Sequence, residues 1–334
     1  MVLMNPERMS EMNKLAKALF VRGTLLTALP LRLAQYYLNK DAFDKAASVP
    51  GIYELADLPY KKGQKKPRKY RPVKSAMGKK REHLLDIESP EPLDKKLPKK
   101  LPVIVSVHGG GYLTNNKECN RPHCQYFASK GYKVVNVNYT LQPEAELPEE
   151  IQELADVFAW IGDNAGKYGF DKKNIFLTGD SSGGHLVLLY TAVQNNKDLQ
   201  KKLGVTVKGP GVRATAATCP VGSFVAKDLV STVFRNLAGR LYDDEMKLAL
   251  SYEGFADETY PEVCIVTTDT DVPIHTTTEG IHKYLEQKGL PHWYKSFEGR
   301  THKLGHVFNV LHPYWEESLE ANQFILDFFE SKKE

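Results

Sequence analysis

The 334-residue chain has only four cysteines, Cys119, Cys124, Cys219 and Cys264. None sits in a C-x-x-C pair and no histidine cluster accompanies them, so their spacing gives no zinc-site pattern. A chain this long can build a sizeable core without disulfide staples, and scattered cysteines suit a reducing compartment, so cytoplasmic placement is expected. There is no self-similarity at a fixed period, which argues against a solenoid. Long apolar runs are also missing. The best candidate, residues 19–33 (LFVRGTLLTALPLRL), is interrupted by Arg22, Pro30 and Arg32. It is too short for a membrane span and makes a poor targeting segment. Stable membrane insertion is therefore not expected, and an amphipathic helix covering a pocket is the better reading.

Acidic residues are absent from one stretch. Residues 61–81 read KKGQKKPRKYRPVKSAMGKKR, although the formal net charge of the whole chain is only +4. Such a run can serve anionic partners. No nucleic-acid-binding motif accompanies it, so a solvated loop is the simpler reading and no nucleic acid is expected. Apolar content of 42% and charged content of 26% are ordinary for a soluble globular chain.

Residues 1–55 read as an N-terminal helical segment, with Met9, Met12, Leu15, Leu19, Leu25 and Leu29 spaced for one apolar face. Residues 53–101 are loop-rich and lysine-rich, and are expected to hold the first edge strands. Beyond them the pattern is regular. Residues 103–107 (VIVSV), 132–139 (YKVVNVNY), 174–178 (NIFLT), 263–267 (VCIVT) and 293–297 (WYKSF) read as strands. Helical patterns cover 149–166, 185–194, 276–288 and 315–331. This alternation predicts an α/β fold over 56–334, with a mostly parallel sheet flanked by helices. Residues 221–256 break the alternation and, with the N-terminal helices, are expected to form a helical cap over the carboxyl edge of the sheet.

Two glycine-rich motifs carry the chemistry. Gly179-Asp180-Ser181-Ser182-Gly183 fits G-x-S-x-G directly after a β-branched strand and at the start of a helix, the context a nucleophile elbow needs. Only Ser181 is centred between the glycines, so Ser182 is better placed to offer its backbone N–H. His108-Gly109-Gly110-Gly111-Tyr112 follows residues 103–107. No Gly-Lys-Ser/Thr follows, and no G-x-G-x-x-G with a distant acid, so a phosphate loop is disfavoured. A loop of backbone N–H donors for an oxyanion fits better.

HGGGY, then Tyr139-x-Leu141-x-Pro143-Glu144, then GDSSGG resembles the hormone-sensitive-lipase-like esterases of the α/β-hydrolase fold, from about residue 101 to the end. The resemblance implies a triad in the order Ser, Asp, His. Its acid maps onto Asp271, the second acid of Thr268-Asp269-Thr270-Asp271. The chain continues Val272-Pro273-Ile274 where the family often has Pro-Leu, which keeps Asp269 as the alternative. The base maps onto His306, with Gly305 before it and Val307-Phe308 after it, and His302 is the nearby rival. His275, His282, His292 and His312 read as surface or packing residues, and His108 with Gly109 as support for the glycine loop.

The resemblance thus implies Ser181, Asp271 and His306 as catalytic residues, and the N–H groups of Gly110, Gly111 and Ser182 as an oxyanion hole. The expected reaction is hydrolysis of short-chain acyl esters of small molecules, with no metal and no organic cofactor. A serine peptidase or amidase and a non-catalytic ligand-binding relative are the alternatives. The absence of a propeller-sized N-terminal domain counts against large peptidases. The oligomer is left open, with a homodimer as one expectation.

Overall fold

The computed structural model describes residues 49–61, 83–94, 96–272 and 274–334. Eight strands form one sheet: β1 (Tyr53–Pro59), β2 (Leu84–Ser89), β3 (Leu101–Val107), β4 (Lys133–Val137), β5 (Phe170–Asp180), β6 (Ala214–Thr218), β7 (Val263–Thr268) and β8 (His292–Phe297). Their spatial order is β1-β2-β4-β3-β5-β6-β7-β8. β1 and β2 are antiparallel to their neighbours, and the other six strands run parallel. β1 begins at Tyr53, inside the stretch expected to be helical. Residues 1–48 of that stretch, and all of the basic run except Lys61, lie outside the described residues.

Strand periodicity explains why the central strands read as unbroken apolar runs. Val103, Val105 and Val107 belong to one core and Ile104 to the other; Ile175 and Leu177 oppose Phe176, and Ile265 opposes Cys264 and Val266, in the same way. Alternate side chains thus enter opposite cores, so a strand covered on both faces must be apolar at every position. The first core is closed by α2 (Leu147–Tyr168) and α3 (Ser181–Val193), the second by α1 (Arg121–Ser129) and α10 (Glu316–Ser331). Phe176 and Phe329 stack at 4.7 Å in the second core. Each large side chain buried this way contributes about 2 kcal/mol.

Local signals set the helix ends. A capping box opens α2, with the Glu149 carboxylate accepting the Glu146 N–H at 2.8 Å, and Gly169 in the left-handed region closes it. Every residue of α3 is buried, as befits a helix wedged between the sheet and its neighbours. α4 (Lys197–Leu203) follows it. Between β6 and β7 lie α5 (Leu229–Leu237), α6 (Asp244–Ala249) and α7 (Tyr252–Phe255), the helices of the stretch that breaks the alternation. α8 (Ile274–Gln287) joins β7 to β8, and α9 (Phe308–Leu311) precedes α10.

β6 and α1 are elements the sequence pattern did not single out. Ala-Thr-Ala-Ala-Thr has little apolar bulk, yet β6 is fully buried and paired on both sides. Among the described residues, no helix is long and apolar enough to cross a membrane.

Candidate active site

Strand register gathers the chemistry at one edge. Val107 pairs with Gly179, Asp180 with Thr218, Thr218 with Val266, and Thr268 with Phe297. The segments that leave β3, β5, β6, β7 and β8 therefore emerge side by side at the carboxyl edge, where parallel sheets bind ligands. Sequence neighbours of these strand ends become spatial neighbours: His108 to Tyr112, Ser181, Cys219, Asp271 and His306.

Ser181 is the turn between β5 and α3. Its φ of 54° lies in the left-handed region, which is strained for serine and is the backbone shape that a nucleophile elbow requires. The flanking glycines are steric necessities. A Cβ on Gly179 would come within 2.5 Å of the Gly183 carbonyl oxygen, and one on Gly183 within 2.4 Å of the Val107 oxygen. Ser181 is 8% exposed and stands at the N-terminus of α3, whose dipole favours developing negative charge.

The glycine loop is tied directly to this elbow. The Gly109 N–H donates to Asp180 Oδ2 at 3.2 Å, and Asn120 Nδ2 donates to Asp180 Oδ1 at 2.8 Å. Burial pushes the Asp180 carboxyl above its ordinary range, and these donors oppose the shift. Gly110, Gly111 and Tyr112 then follow with φ of 122°, 63° and 65°. The Tyr112 N–H donates to Ser182 Oγ at 3.2 Å. Among the described residues, the N–H groups of Gly110, Gly111 and Ser182 donate to no protein acceptor. Phe234 of α5 overhangs this loop, its ring 5.6 Å from that of Tyr112 and 3.4 Å from where a Cβ on Gly111 would stand.

Two buried imidazoles brace the loop. Burial holds His108 down to about 4, so the ring is neutral and its Nδ1–H donates to the Gly109 carbonyl at 2.8 Å. His108 stacks on Tyr139 at 4.5 Å, and the Tyr139 hydroxyl donates to the His108 carbonyl at 3.0 Å. His185 on α3 is likewise held down to about 4 by burial. Its Nε2–H donates to the Leu250 carbonyl at 2.8 Å, which leaves Nδ1 to accept from the Tyr112 hydroxyl at 2.8 Å. The loop is thus linked through α3 to the segment between β6 and β7.

At the other side of the elbow, His306 Nδ1 lies 2.7 Å from Asp271 Oδ2. Asp271 is 5% exposed, while the His306 side chain is 36% exposed. Asp269 lies on the surface next to Thr268 Oγ1. His302 turns elsewhere: its Nδ1 is 3.0 Å from Glu317 Oε2, and its ring stacks on Trp315 at 4.4 Å. The sequence motifs did not single out Asp180, Asn120 or His185, whose roles come from contacts across 60 to 73 residues of chain.

A parallel sheet with a strained serine elbow after β5 and a glycine loop after β3 defines an α/β hydrolase. The BD-FAE family model matches residues 85–278, more than half of the chain, and the chain belongs to that family. It is also similar to mycobacterial esterases and to hormone-sensitive lipases. It is 33% identical to Esterase LipQ of Mycobacterium tuberculosis over 124 residues, 36% of this chain and 28% of that protein. It is 29% identical to the hormone-sensitive lipase of Bos taurus over 105 residues, 30% of this chain and 14% of that protein. These matches therefore span under a third of the relatives' own lengths. Across the whole fold, the crystal structure of Esterase B from Lactobacillus rhamnosis superposes with a TM-score of 0.75 at 25% identity, covering 92% of this chain and 94% of that one.

Proposed function

We propose that this chain is a carboxylic-ester hydrolase that cleaves short acyl esters of small molecules through a Ser181–His306–Asp271 triad. The observation that carries the reading is the 2.7 Å contact between His306 Nδ1 and the buried Asp271 carboxylate, at the same sheet edge as the strained Ser181. Asp271 fixes the tautomer with the proton on Nδ1, so Nε2 is free to act as the base.

In the reaction, His306 Nε2 takes the Ser181 hydroxyl proton as Oγ attacks the acyl carbon. The same proton is delivered to the leaving alcohol as the ester bond breaks. The oxyanion is received by the N–H groups of Gly110, Gly111 and Ser182, each donor worth on the order of 3 kcal/mol of barrier. Water then attacks the acyl-enzyme, giving up a proton to His306, and the acid departs as Ser181 regains its own. Phe234 and the helices within 221–256 act as a cap that closes over the acyl group.

The short-chain reading is supported by Phe234, whose ring stands over the glycine loop 3.4 Å from where a Cβ on Gly111 would be and 5.6 Å from the ring of Tyr112. Esterase B has been solved inhibited with a C4-C4 tributyrin phosphonate and also with a C6-C4 inhibitor. A panel of p-nitrophenyl esters of rising chain length, with an anilide control, tests the reading. kcat/KM should fall beyond about four to six carbons as the pocket is overfilled, and the anilide should be cleaved far more slowly. Hydrolysis of the anilide at the rate of the matched ester would overturn the ester assignment.

A further inference from the structure

Cys219, Asp271 and His306 leave three different strands: Cys219 follows β6, Asp271 sits in the turn after β7, and His306 in the loop after β8. One ligand atom from each, a sulfur, a carboxylate oxygen and an imidazole nitrogen, lies within 4.8 Å of the other two. These are the donor types that zinc takes in proteins, at bond lengths of about 2.0–2.3 Å. Tetrahedral ligands at that range stand roughly 3.5 Å apart, so closing the cluster around an ion needs movement of about 1 Å. His306 can supply it, because its side chain is 36% exposed and so has solvent to move into.

Cys219 is set for this position by its backbone. Its φ is 44°, an uncommon and strained value for a residue with a side chain, and its N–H donates to the Val266 carbonyl at 2.7 Å. Cys219 and Asp271 are buried, and the partly exposed His306 gives the path from solvent. The serine mechanism makes no use of the thiol.

We propose that a soft divalent cation, Zn²⁺ or Cd²⁺, binds Cys219, Asp271 and His306 with water completing a tetrahedron, and so blocks the enzyme reversibly. Binding displaces the thiol proton to solvent. The proton on Nδ1 moves to Nε2, leaving the Nδ1 lone pair and Asp271 Oδ2 to the metal. The thiolate and the carboxylate together neutralise the ion. His306 then has no lone pair for the Ser181 proton. The blockage rests on His306 being the base, whereas the binding does not.

The test uses the chelator-treated full chain titrated with CdCl₂, following the ultraviolet thiolate-to-cadmium charge-transfer absorption. It is run in parallel on Ser181→Ala, so that binding is read without turnover. A saturable band at one Cd²⁺ per chain is expected in both, and its loss in Cys219→Ser. Zn²⁺ should abolish p-nitrophenyl acetate hydrolysis, chelator should restore it, and Cys219→Ser should weaken the inhibition at least about tenfold. If Cys219→Ser does not fold, Asp271→Asn should keep the band and weaken Cd²⁺ affinity by a similar factor. The absence of a band, a band that survives Cys219→Ser, or cadmium affinity unchanged in Asp271→Asn would each overturn the proposal. A bound metal in a protein with no hydrolytic activity would uphold the site and defeat the esterase reading.

Discussion

Replacing Gly109 by alanine should disable the glycine loop while leaving all three proposed triad residues in the sequence. A Cβ at this position would stand 2.6 Å from both the carbonyl oxygen and Oδ2 of Asp180, and 2.9 Å from Ser181 Cβ. Ordinary contact begins near 3.4 Å, so loop and elbow must part by about 0.8 Å. Asp180 cannot retreat, because its backbone is paired with Thr218 in the sheet and its Oδ1 is held by Asn120. The loop moves instead, breaking the bond from the Gly109 N–H and carrying the Gly110 and Gly111 donors away from the proposed oxyanion position. A displacement near 1 Å, or the loss of one such donor, costs about 10²-fold in rate. The assay is kcat and KM on p-nitrophenyl acetate, with thermal melting to establish that the variant is folded. kcat should fall about 10²-fold with a smaller change in KM. A folded Gly109→Ala enzyme whose kcat stays within about threefold of the parent would refute the argument that this contact sets the oxyanion geometry.

Two further outcomes follow from the same structure. Asp271→Asn should lower kcat by about 10⁴-fold by allowing the wrong His306 tautomer, whereas Asp269→Asn, on the surface, should leave kcat nearly unchanged. The reverse pattern in steady-state kinetics would move the triad acid to Asp269. Glu88 is fully buried on β2, neither of its oxygens has a hydrogen-bond partner among the described residues, and burial together with the nearby Glu54 pushes it up to about 9. Its folded value lies above its ordinary one, so its stability is complete below about 4.5 and is lost as pH rises toward about 9. At pH 7.5 the folded chain holds Glu88 protonated where the unfolded chain would ionise it, at a loss of about 4 kcal/mol, and Glu88→Gln should raise the melting temperature more at pH 8 than at pH 5. Equal shifts at both pH values would show that burial does not raise the Glu88 carboxyl in the folded state.

The parts of this molecule that are legible in its sequence are those whose signal is local. The elbow and the glycine loop announce themselves because steric necessity fixes glycine at Gly179, Gly183 and Gly109, and β-branched runs mark the strands that precede them. β6 is invisible for the opposite reason: Ala214 to Thr218 become a strand only through pairing with β5 and β7. α1 is obscured by His123 and Gln125, polar residues that are buried; His123 is satisfied by Asn322 from α10, 199 residues away. Asp180 reads as a filler position in a five-residue motif, yet its carboxylate joins the elbow to the glycine loop. Cys219 shows no metal spacing because Asp271 and His306 reach it only through the order of strands in the sheet.

Ser181 as nucleophile is the claim on which the rest depends, and covalent labelling tests it most directly. An alkyl phosphonate ester should inactivate the enzyme at one equivalent per chain, with the adduct located on Ser181 by peptide mass spectrometry. Ser181→Ala should stay folded, take up no label and hydrolyse no p-nitrophenyl acetate. An adduct on Ser182, or turnover that survives Ser181→Ala, would contradict the account.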